Sequence, residues 1–94
     1  MTAKYIYDKL TGKGFDDNSA SILSENLIQL DSSLQPMLSA WLESGEEKDF
    51  EAEGYSIKKL MSEFGMQYQA ALLTIDWLIK EPKIAQEALK KGIR

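Results

Sequence analysis

The most constraining stretch of this 94-residue chain is MQYQAALLTIDWLI, residues 66–79. Within it, Gln67, Gln69, Thr74 and Asp76 are the plainly polar positions. On a helix, at about 100° per residue, Tyr68, Ala71, Leu72, Ile75, Leu78 and Ile79 fall on one broad apolar arc. Met66, Ala70 and Trp77 fall nearly opposite. A helix apolar on two sides is packed on two sides, so the pattern predicts the central helix of a small bundle at about 67–80. One narrow polar stripe remains, Gln69–Asp76–Lys80. Asp76 and Lys80 stand at i,i+4, a pair worth about 0.2–0.5 kcal/mol on a helix surface.

The other elements follow from caps and spacing. Residues 3–11 place Ile6 and Leu10 on one face, and Gly12 and Gly14 end that helix. Asp16-Asp17-Asn18-Ser19 is a cap-rich start for a second helix. From there Ala20, Leu23, Leu27, Leu30 and Leu34 recur at helical spacing, with Ile22 broadening the stripe. Ser32 and Ser33 offer a new cap and Pro36 suits a first turn. The chain is therefore expected to break at 31–33 and restart as a helix over 33–44, with Met37, Leu38, Trp41 and Leu42 inward. One kinked helix over 17–44 is the alternative. Beyond Gly45 lies an acidic linker at 45–54. Ser56 then caps a short helix bearing Ile57, Leu60, Met61 and Phe64, ended by Gly65. Pro82 opens a last helix, 82–91, expected to bury Ile84, Ala85, Ala88 and Leu89. Strand alternation is confined to a few residues in 49–55. The expectation is an all-α single domain over 1–94, a small orthogonal bundle of five or six short helices around the central one.

Composition narrows the function. The chain has 44% hydrophobic residues, too many for a disordered protein, and neither cysteine nor histidine. Disulfide and thiolate chemistry are absent, as are the usual neutral-pH general base and the common zinc ligands. No catalytic residues, cofactor or metal site are expected, and the protein is read as not an enzyme. With no signal-like segment and no membrane-length apolar run, a cytoplasmic location is expected. The net charge of −4 hides an asymmetry. Residues 31–54 hold seven acids and one lysine, whereas residues 55–94 hold seven basic residues and four acids.

The run from Ser56 to Met66, with Ile57, Leu60 and Phe64 apolar and Gly65 at the turn, resembles the first helix and turn of a helix-turn-helix motif. The resemblance covers residues 56–80 and implies nucleic-acid contacts from Lys58, Lys59, Gln67 and Gln69. It departs from the motif at Met61, where a small residue is usual, and at Ala71 and Thr74, where larger apolar residues are. Residues 67–79 contain no lysine or arginine to reach bases or phosphates. Nucleic-acid binding is therefore the alternative reading, not the leading one.

Asp49-x-Glu51-x-Glu53-Gly54 matches the opening of an EF-hand-like calcium loop. The match fails at the twelfth position, Leu60, which would have to supply a carboxylate, and at the eighth, Ser56, normally apolar. The same segment reads better as an interaction surface. Phe50 stands among Glu46, Glu47, Asp49, Glu51 and Glu53, an apolar anchor in a charged surround that suits a basic partner protein. The other reading of Phe50 is a residue tucked into the fold that pins the linker. The leading expectation is a non-catalytic protein-interaction module, accessory factor or inhibitor.

Overall fold

Local capping chemistry sets where the helices begin and end. The computed structural model describes residues 1–92. Among them are six α-helices, one 3-10 turn and a two-stranded hairpin, so the protein is all-α apart from that hairpin. None of these helices is long and apolar enough to cross a membrane. The chain divides into two compact units, the first ending at Glu47 and the second beginning at Lys48.

In the first unit, α1 (Ala3–Gly12) starts where the Thr2 side chain accepts the Tyr5 N–H. It buries Ile6 and Leu10 completely. Gly14, at φ +104°, turns the chain toward α2 (Asp17–Leu27). The Asp16 carboxylate caps α2 by accepting the Ser19 N–H at 2.8 Å. Ala20 and Leu27 face inward as expected, with Ser24 rather than Leu23 buried between them. Leu23 is half-buried and Ile22 stands 56% exposed. Ala20 and Ser24 are small and leave room for α1 to lie close, while the Ser24 hydroxyl is satisfied by the Ser21 carbonyl at 2.9 Å.

The break expected after α2 is present, so 17–44 is not one kinked helix. Asp31, rather than Ser32 or Ser33, is the cap, accepting the Ser33 N–H at 3.1 Å and its hydroxyl at 2.7 Å. A 3-10 turn, Ser32–Leu34, leads into α3 (Gln35–Ser44), with Pro36 in its first turn. Leu38, Trp41 and Leu42 face inward, and Met37 is half-buried. Phe15 meets the Trp41 ring edge-on at 6.4 Å, and the Lys13 ammonium lies 4.8 Å from the Trp41 centroid. Gly45, at φ +73°, ends α3 by donating its N–H to the Trp41 carbonyl, an αL cap.

The second unit holds β1 (Glu51–Ala52), β2 (Tyr55–Ser56), α4 (Ile57–Phe64), α5 (Tyr68–Lys80) and α6 (Pro82–Lys90). Here α5 is the centre, packing against α4, β1 and α6. Tyr68, Ala71, Leu72, Ile75 and Leu78 are buried, as the wider arc predicts, and Ile79 is half-buried. Burying one such Leu or Ile contributes about 1.5–3 kcal/mol relative to exposure. The opposite arc, Met66, Ala70 and Trp77, is half-buried. Asp76 and Lys80 pair at 2.9 Å. Three positions differ from expectation. Gln69 is 8% exposed and belongs to the interior rather than to a polar stripe. On α6, Ala85 and Leu89 turn inward as expected, which leaves Ile84 58% exposed on the flank and Ala88 only half-buried beside it.

Candidate interaction site

The acidic segment is not a slack linker once it enters the second unit. Its chain reverses through Glu53 and Gly54, at φ +52° and +83°, with Ala52 opposite Tyr55 and Glu51 opposite Ser56. Two successive positive φ values in a two-residue loop are the signature of a type I′ hairpin, whose twist matches that of its strands. Glycine takes that conformation without cost, and glutamate does not.

The hairpin also completes α4. The first N–H groups of any helix lack partners within it. In α4 the Ile57 N–H goes to the Phe50 carbonyl at 3.1 Å, the Lys58 N–H to the Asp49 carboxylate at 3.1 Å, and the Lys59 N–H to the Ser56 hydroxyl at 3.0 Å. The same Asp49 oxygen accepts the Phe50 N–H at 2.9 Å. Ser56 as the cap was legible from its neighbours. Asp49 was not, because it reaches the helix from across the hairpin.

Two side chains fasten the hairpin from other helices. Tyr68, 2% exposed, donates its hydroxyl to the Lys48 carbonyl at 2.8 Å. Gln86 of α6 donates its amide to the Glu53 carboxylate at 3.0 Å. Sequence reasoning missed both, since no local pattern marks bonds across 20 and 33 residues. Tyr55, at the far end of the turn, meets Phe64 edge-on at 6.2 Å, with the Lys59 ammonium 5.1 Å from its centroid.

Against this frame the acids stay outside. Asp49, Glu51 and Glu53 are exposed on the second unit, and Glu46 and Glu47 are exposed at the end of the first. An unpaired carboxylate is costly to desolvate, which forces this placement. Phe50 is half-buried, neither core nor fully offered. The segment folds as a two-residue turn followed directly by α4, not as the open twelve-residue loop of an EF-hand.

The residues of the nucleic-acid alternative are not gathered on one accessible face. Lys58 and Gln67 are exposed, and Lys59 is half-buried over Tyr55. Gln69 is buried and donates to the Gln67 side chain at 2.6 Å, so its amide is turned to its neighbour rather than outward. The helix–turn–helix shape itself is present, α4 ending at Gly65 in the left-handed conformation and α5 starting at Tyr68. A recognition helix must present side chains to base edges, and Lys80, paired with Asp76, is the one exposed residue among the thirteen of α5. No protein-family model, no curated protein and no solved structure matches this chain.

Proposed function

We propose that this protein is a non-catalytic, cytoplasmic interaction module, acting as an accessory or inhibitory factor, that offers its acidic hairpin to a partner protein with a basic surface. One contrast carries the reading. The hairpin is tied through the Lys48 and Phe50 carbonyls and the Asp49 and Glu53 carboxylates, while Glu51 between them stays exposed. A surface already ordered before binding loses less conformational freedom on association. Its charge speeds encounter with a cationic partner, and the exposed part of Phe50 supplies apolar contact at the centre. The absence of cysteine suits a reducing compartment.

The test is affinity capture from the native host, followed by measurement of binding to the captured protein. Reversing Glu51 to Lys should weaken association strongly while leaving the melting temperature nearly unchanged. Retained binding by that variant would sink the proposal and direct attention elsewhere on the surface.

A further inference from the structure

We draw no further inference here: the strongest candidate, the exposed flank of α6 where Ile84 and Ala88 stand between Lys83 and Lys91, is an unpartnered helix face and nothing in the structure shows what covers it.

Discussion

The Asp49 carboxylate accepts the backbone N–H of Lys58 at 3.1 Å, nine residues further along the chain. An acid that looked available to a partner is thus committed to holding the start of α4. Replacing it with Ala should destabilise the protein by about 0.5–2 kcal/mol, the range for losing a helix cap. Asp49→Asn keeps an oxygen acceptor and should cost much less. Urea denaturation of the two variants checks this. Equal stability of Asp49→Ala and wild type would mean that the bond contributes nothing. Charge reversal at this position would mix stability with binding, which is why Glu51 is the better probe of the surface.

Phe50 needs a similar separation of effects. Its carbonyl belongs to the α4 cap, and its ring is partly in water. Phe50→Ser leaves the backbone bond in place, so partner affinity should fall while folding weakens modestly. Circular dichroism melts alongside binding isotherms would distinguish the two. Complete unfolding would show that the ring is needed as core and that the hairpin is held rather than offered.

Glu53 sits at φ +52° in the first central position of the turn. The left-handed conformation costs an ordinary residue about 1–2 kcal/mol, and asparagine or glycine less. Glu53→Asn should raise stability by up to about 1 kcal/mol, less whatever the Gln86 contact contributes. Glu53→Asn combined with Gln86→Ala separates the two effects in a thermodynamic cycle. A loss of stability in the Asn variant on the Gln86→Ala background would contradict the turn assignment.

The interior of the second unit makes a simpler prediction. Leu72 and Ile75 are fully buried in α5. Truncating either to Ala should cost about 2–5 kcal/mol, the range for well-packed aliphatic side chains. Near-zero effects at both would displace α5 from the centre of its unit.

Two hydrogen bonds in the first unit should appear in the pH dependence of stability. The Ser19 N–H, and then the Ser19 hydroxyl, hold the Asp16 carboxyl below its ordinary value. Its contribution is therefore present above the unfolded pKa of about 3.9 and is lost as pH falls through the lower folded value. Tyr7 donates to Asp17 at 2.6 Å, and that bond, followed by desolvation and the charges of Asp17 and Asp8, raises its phenol. Its contribution is present below about pH 10 and is lost as pH rises through the higher folded value. Asp16→Asn should flatten the acid limb and Tyr7→Phe the alkaline limb of stability against pH. Unchanged limbs in either variant would remove that bond from the account.

What could be read in advance was what depends on neighbours in sequence. The caps at Asp16 and Ser56, the Gly45 and Gly65 stops and the Asp76–Lys80 pair all lie within one helical turn of what they act on. Ile84 and Gln69 were misplaced for one reason: spacing sets which residues share a face, not how far the helix is rotated against its neighbour. The hairpin was visible only as a hint at 49–55, because Glu53 stands where a turn of this type favours asparagine or glycine. Its fastening by Tyr68 and Gln86 depends on tertiary placement, which no short window contains.

The bond between the Tyr68 hydroxyl and the Lys48 carbonyl, spanning 20 residues, closes a ring of chain around the hairpin and α4. The α4 amides depend on the hairpin, and the hairpin is held by this clasp together with Gln86, so the segment inside the ring stands or opens as one. Local unfolding tends to run through such contiguous units. Amide hydrogen exchange across Ala52, Ile57, Lys58 and Lys59 should therefore share one opening free energy, and Tyr68→Phe should lower all four together.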